Sequence, residues 1–344
     1  MSLDNILIRA DASTAIGGGH VMRCLALAKA WQRGGGRVCY LMAETIAALD
    51  ARFGEESVQH ERMAAQPGSL EDAEQTVAWA RRLRTPWIVV DGYRFAPDYI
   101  HILKASGLRV LMLDDDARFG FYEADVVLNQ NIDACAESYQ RAASTHLLLG
   151  ANYILLRPEF LDERPQRDIT EVARKFLVTM GGSDSENVTA SVVRALPRLG
   201  DNFEVTVVVG GASPHYESLQ GLVERLPVKV HMERSLANMA PIMRWADVAI
   251  AAPGGTCWEL AFLGVPMILI TLSLEQEKNA ASISKSGAAL TLGWHANLSE
   301  QEISDAIKSV MENADRRRAM SERGQKLVDG HGAARVVEFL QSCV

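Results

Sequence analysis

Short apolar runs recur along the chain, separated by stretches whose apolar residues fall at helical spacing. Runs at 6–8, 38–42, 87–91, 110–114 and 126–129 predict strands, and 21–32, 70–83 and 97–106 predict helices. The strand runs do not alternate with polar residues, which marks parallel strands covered on both faces by helices. The rhythm breaks from Arg157 to Glu171, where Pro158 and Pro165 stand among Glu159, Asp162, Glu163, Arg164, Arg167 and Asp168. It restarts with strand runs at 175–180, 204–209, 228–231, 247–252 and 266–270, and ends in an amphipathic helical tail over 300–340. Strand–helix alternation on this scale predicts an α/β protein with two Rossmann-like doubly wound domains, 1–157 and 172–344, joined by a linker at 158–171.

Composition agrees with two cores: 344 residues exceed what one core usually serves, and 48% are hydrophobic. The formal net charge of −8 argues against a nucleic-acid partner, which needs clustered Lys and Arg. Cys24, Cys39, Cys135, Cys257 and Cys343 show no zinc-ligand spacing, and their odd number suits free thiols in a reducing cytoplasm. The N-terminus lacks the basic and apolar regions of a signal peptide, and no run of about 18 apolar residues predicts a membrane span.

Ligands of open α/β sheets bind at the carboxyl ends of the strands. The loop after the first strand runs from Arg9 to Arg23 and contains Asp11 and Gly17-Gly18-Gly19-His20. Its glycines let a ligand approach the backbone at a helix start, and the imidazole of His20 is a side chain suited to proton transfer. A glycine turn with a packed histidine is the plain alternative. The loop Gly181-Gly182-Ser183-Asp184 suits a phosphate, or equally an ordinary helix cap. Gly254-Gly255-Thr256 offers N–H groups and a hydroxyl to a diphosphate, with Glu259 placed for ribose hydroxyls; the same spacing fits a capping box of Thr256 with Glu259. The polar stretch 274–281 holds Gln276 and Asn279 and reads equally as a solvated helix start. Asp91-Gly92-Tyr93 ends a buried strand, so Tyr93 is a candidate wall of the site. Asp114-Asp115-Asp116 has the oxygen ligands of a Mg²⁺ site, but consecutive residues face different ways, so a helix cap plus one orienting acid is expected.

The order of these loops resembles a known family. RADASTAIGGGHVMRCLALA, DDD, LLLGANYILLRPEF, VTMGGSDSEN, GGTCWELAFLGVP and QEKNA are together similar to the PseG family of UDP-sugar hydrolases in pseudaminic acid biosynthesis. A more distant likeness runs to the MurG glycosyltransferases. The resemblance implies the GT-B architecture of two facing Rossmann-like domains, with the last helix crossing back to the first. It implies hydrolysis of UDP-2,4-diacetamido-2,4,6-trideoxy-β-L-altropyranose at the anomeric carbon with inversion, and His20 as general base. Tyr93 maps to the tyrosine near the sugar and Glu259 to the ribose acid, while Trp258 stands where some members carry Asn. Asp11 is expected to orient His20 or its loop. Gly17, Gly18, Gly19, Arg23, Gly181, Gly182, Ser183, Gly254, Gly255, Thr256, Trp258, Glu259, Gln276 and Asn279 complete the expected substrate contacts. The expected partners are a UDP-sugar and UDP, with no metal, cofactor, nucleic acid or membrane. A glycosyltransferase and a non-catalytic nucleotide-sugar binder are the alternatives.

Overall fold

The apolar runs become strands whose successive side chains enter opposite cores. In the first strand Ile6 and Ile8 pack with Tyr40, Val89 and Leu25, while Leu7 packs with Leu41, Ile88, Val77 and Leu103 on the other face. The structure, a computed structural model, describes residues 4–13, 16–162, 164 and 166–343. Glu163 and Pro165 of the expected linker, and Thr14 and Ala15 of the glycine loop, lie outside the described residues.

The first sheet contains β1 (Asn5–Ala10), β2 (Arg37–Met42), β3 (Gln59–Arg62), β4 (Trp87–Asp91), β5 (Arg109–Leu113), β6 (Val126–Asn129) and β7 (His146–Leu149) in the order β3-β2-β1-β4-β5-β6-β7. The second contains β8 (Lys175–Thr179), β9 (Glu204–Val209), β10 (Val230–Arg234), β11 (Val248–Ala251), β12 (Met267–Thr271) and β13 (Ala289–Trp294) in the order β10-β9-β8-β11-β12-β13. Every described pairing in both is parallel. Both are Rossmann-like, and in each the order reverses once, between β1 and β4 and between β8 and β11. Such reversal points open the crevice where doubly wound sheets bind ligands.

The strands that the apolar runs do not mark, β3, β7 and β13, are all edge strands. β3 reads QHER and is only partly covered, so it carries no apolar signal. The edge strand β10 begins at Val230, two residues later than its apolar run. Helices α1 (Gly19–Arg33) and Leu70–Leu83 follow β1 and β3, and α1 starts two residues earlier than its apolar spacing suggests, which puts His20 on the helix.

The chain divides into two compact units, one running to Pro158 and resuming at Gly330, the other spanning Glu159–Asp329. The final helix, Gly332–Ser342, therefore belongs to the first unit, where Val336 and Leu340 join the core beside α1. Arg335 donates to the Asn152 carbonyl at 3.0 Å, and Arg109 to that of Cys343 at 2.6 Å. Among the described residues no helix is long and apolar enough to cross a membrane.

The start of this last helix is tightly fitted: a Cβ on Gly332 would overlap the carbonyl oxygen of Ile154. A Gly332→Ala variant is therefore expected to lose about 2 kcal/mol of stability, as overpacking against rigid backbone does. Thermal unfolding of the full chain reads this, and an unchanged midpoint would mean the helix docks elsewhere.

Candidate functional site

The first-unit site grows from the end of β1. Asp11 accepts the backbone N–H groups of Ala43 and Glu44 at 2.7 and 3.0 Å and pairs with the buried Arg9 at 2.7 Å. It thus fastens the loop after β1 to the loop after β2. Ser13 accepts the N–H of Gly17 at 2.8 Å across a turn in which Gly17 has φ +71°, a conformation that favours glycine. Among the described residues nothing lies within 4 Å of where a Cβ on Gly17 or Gly19 would sit. Gly18 caps α1 without a side-chain bond, and His20 is the second residue of the helix.

The carboxylate against His20 is Asp91, not Asp11. Nδ1 of His20 lies 2.8 Å from Oδ1 of Asp91, the last residue of the central strand β4. One turn on along α1, Arg23 donates through Nε to Oδ2 at 2.7 Å and through Nη2 to Oδ1 at 2.6 Å. Its Nη1 donates to Asp115, after β5, at 2.6 Å. The thiol of Cys24 reaches Oδ2 at 3.3 Å. Burial by itself would push the Asp91 carboxyl up, but Arg23 and His20 hold it well below the usual carboxylate range. An ionised carboxylate only accepts, so the proton of a neutral His20 sits on Nδ1 and the lone pair on Nε2.

The Tyr93 ring stands edge-on to His20, with centroids 4.8 Å apart, and Arg118 covers it at 4.3 Å. Burial and then Asp115 push the Tyr93 phenol up to about 12, so it is a neutral donor at physiological pH. His20, Arg23, Asp91, Tyr93, Asp115, Arg118 and Phe119 line a recess open to solvent. It lies at the carboxyl ends of β4 and β5, beside the sheet's reversal point. The three consecutive aspartates face three ways: Asp114 accepts from Tyr122, Asp115 from Arg23 and Asp116 from Arg118. Among the described residues no group of three His, Cys, Asp or Glu side chains is placed to hold a metal ion.

In the second unit, the loops after the neighbouring strands β8 and β11 carry the expected phosphate contacts. Asn187 is the cap of the next helix, and Asp184 accepts its first N–H groups, from Val188 and Thr189 at 2.8 and 3.1 Å. Gly181 has φ +81°, and a Cβ on Gly210 would overlap the Gly181–Gly182 carbonyls, so the loops after β8 and β9 pack backbone to backbone. Gly255 caps the helix Thr256–Phe262 and no side chain does, so the Thr256–Glu259 capping box is not formed. The backbone at Gly254 and Gly255 is open on the side where a Cβ would stand.

Two residues expected to contact ligand in this unit also bond within the fold through one amide atom each. Gln276 accepts the N–H of Leu272 at 2.9 Å, and the Asn279 amide donates to the Pro253 carbonyl at 3.1 Å, tying that helix to the glycine loop. The expected contact from Trp258 is corrected: its indole is 2% exposed, turned inward because a short helix at a strand end must cover the sheet. Glu259 is also buried. Arg23 changes meaning too, since its guanidinium is committed to Asp91 and Asp115. Asp91 was not among the expected site residues, and the available signal was a carboxylate closing an apolar strand run; in the aspartate run, Asp114 accepts the Ala117 N–H and Asp115 is the acid that reaches Arg23.

Asp91→Asn removes a buried anion that Arg23 requires, and is expected to destabilise the chain by about 3 kcal/mol at neutral pH. A carboxylate whose folded pKa is lowered stabilises above its unfolded value, near 4, and that contribution is lost as pH falls further. The difference between wild type and variant should therefore shrink between about pH 4 and pH 2 in denaturant unfolding. An equal difference at pH 7 and at pH 2 would contradict the Asp91 pairing.

Three comparisons with known proteins set this geometry in context. Residues 176–334 match the glycosyltransferase family 28 C-terminal domain. The chain is 23% identical over 285 residues to the UDP-2,4-diacetamido-2,4,6-trideoxy-beta-L-altropyranose hydrolase of Campylobacter jejuni, covering 82% of this chain and 97% of that one. It is 27% identical over 248 residues to the spore coat polysaccharide biosynthesis protein SpsG of Bacillus subtilis, covering 69% of this chain and 73% of the relative. The crystal structure of Acinetobacter baumannii MurG superposes with a TM-score of 0.68 at 18% identity, covering 99% of this chain and all of that one. The fold is that of the GT-B glycosyltransferases: two parallel-sheet, Rossmann-like α/β domains.

Proposed function

We propose that the chain hydrolyses a UDP-activated diacetamido-trideoxy sugar, releasing UDP and 2,4-diacetamido-2,4,6-trideoxy-L-altrose, with His20 as the general base. The observation that carries this reading is the Asp91–His20 pair at the edge of an open recess at the reversal point of the first sheet. Asp91 accepts the hydrogen bond of the Nδ1–H, which leaves Nε2 to accept a proton from water. The water oxygen bonds to the anomeric carbon as the bond from that carbon to the UDP oxygen breaks, with inversion. UDP departs as an anion, so no carboxylic acid is needed to protonate it. The neutral phenol of Tyr93 is placed to hydrogen-bond the sugar or the water.

The nucleotide is assigned to the second unit: the open backbone at Gly254 and Gly255 with Thr256 for the diphosphate, Glu259 for the ribose, and Gly181, Gly182 and Ser183 beside them. Supporting this are the family 28 match over 176–334 and the Campylobacter relative, whose name states this activity and which is aligned over nearly its full length. The reading includes a cytoplasmic location and no metal or cofactor.

The family 28 match favours a second reading, a glycosyltransferase that passes the sugar to an acceptor. Following UDP release from UDP-2,4-diacetamido-2,4,6-trideoxy-β-L-altropyranose in the absence of acceptor separates the two. The hydrolase releases UDP at once, and His20→Ala lowers the rate by about a hundredfold or more. UDP that appears only when an acceptor is added means a transferase. Turnover that survives the substitution removes His20 as base.

A further inference from the structure

His20 does not meet Asp91 alone. The chain of contacts runs from Asp115 through Arg23 and Asp91 to His20, with links of 2.6, 2.6 and 2.8 Å. Arg23 is held by a forked pair of bonds on Asp91 and by a single bond on Asp115. Asp91 is fully buried, whereas the Asp115 side chain is 22% exposed and lines the recess. The outer carboxylate thus steadies the guanidinium whose other edge fixes the inner carboxylate.

We propose that Arg23 and Asp115 are positioning residues for His20: Asp115 anchors Arg23, and Arg23 clamps the Asp91 carboxylate against Nδ1 so that Nε2 is presented to the recess. The inference rests on the reading of His20 as base. A monodentate partner would leave Asp91 free to rotate about its side-chain torsion, and the imidazole would follow it. The fork on both oxygens removes that freedom, the kind of support that sets the orientation of a reactive group.

The arrangement makes a signed prediction because the two residues carry opposite charge. The charged and titratable groups around the imidazole are Asp91 on β4, Arg23 and Cys24 on α1, and Tyr93 in the loop after β4. In the loop after β5 they are Asp114, Asp115, and Arg118 paired with Asp116. Arg23 Nη2 also lies 3.3 Å from Nδ1. Removing the Asp115 charge takes away a negative group and disfavours the imidazolium. Removing the Arg23 charge leaves Asp91 unopposed and favours it. At these distances each change should move the titration by about half a pH unit or more.

The full chain with ¹⁵N-histidine tests this without any substrate, the His20 signals being identified by their loss in His20→Gln. Wild type is expected to show the Nδ1–H tautomer. The His20 midpoint should fall in Asp115→Asn and rise in Arg23→Gln. Asp115 is partly exposed, so its variant folds and decides the matter if the Arg23 variant does not. With UDP-sugar, the acid limb of the kcat/KM profile should move in the same directions. Arg23→Lys, which keeps the charge and loses the fork, should lower kcat about tenfold or more with little change in KM. Unmoved midpoints, shifts of the same sign, or an Nε2–H tautomer in wild type would overturn the proposal. Opposite shifts in the titration combined with turnover indifferent to His20 would uphold the relay and reject the base.

Discussion

A buried carboxylate at the end of a central strand organises the first unit. Asp91 has lost its water, and a desolvated anion is tolerated only where donors surround it. Those donors come from one face of α1, at His20, Arg23 and Cys24, which are three and four residues apart and so share that face. The need to satisfy Asp91 therefore sets how α1 is rotated over the sheet. The glycine-rich approach leads into this helix with Gly17 at φ +71°, a conformation that favours glycine. Arg23 then extends the arrangement to Asp115, so that loops from two adjacent strands are joined through one helix.

The second unit solves a different problem with the same topology. Its loops at the β8–β11 reversal are stiffened by their own contacts: Asp184 accepts the first N–H groups of a helix, Gly210 lies against Gly181 and Gly182, and Asn279 holds the Pro253 carbonyl. What stays open is backbone, at Gly254 and Gly255. Open backbone at a strand end suits an anionic ligand, whereas a histidine poised by a buried carboxylate suits proton transfer. The fold is shared with proteins at 18% identity, so it says little about chemistry; that argument comes from the site.

The apolar runs revealed the central strands of both sheets because those strands are covered on both faces. They missed three edge strands: β3 reads QHER and carries no apolar signal, β13 is broken by Thr291 and Gly293, and β7 holds only the short run Leu147–Leu149. Among candidate residues, His20 and Tyr93 drew attention because each comes soon after a strand, His20 at the start of α1 and Tyr93 two residues past β4. Trp258 was misleading, since its position one turn into a short helix was compatible with either the crevice or the core, and packing chose the core. Arg23 was expected as a ligand contact from the family resemblance. The anions it meets are the protein's own.

The sequence by itself determined the strand–helix alternation, the division near Pro158 and the loops that face the carboxyl ends of the strands, all of which follow from local periodicity and turn chemistry. The tertiary structure decided which carboxylate meets His20. Asp11, nine residues from His20, binds the backbone of the next loop, and Asp91, 71 residues away, takes the imidazole. Spacing along the chain carries no information about that choice, because it depends on β1 and β4 pairing side by side with Ala10 opposite Asp91. A hydrogen bond is settled within a few ångströms, and only the folded sheet brings these groups that close.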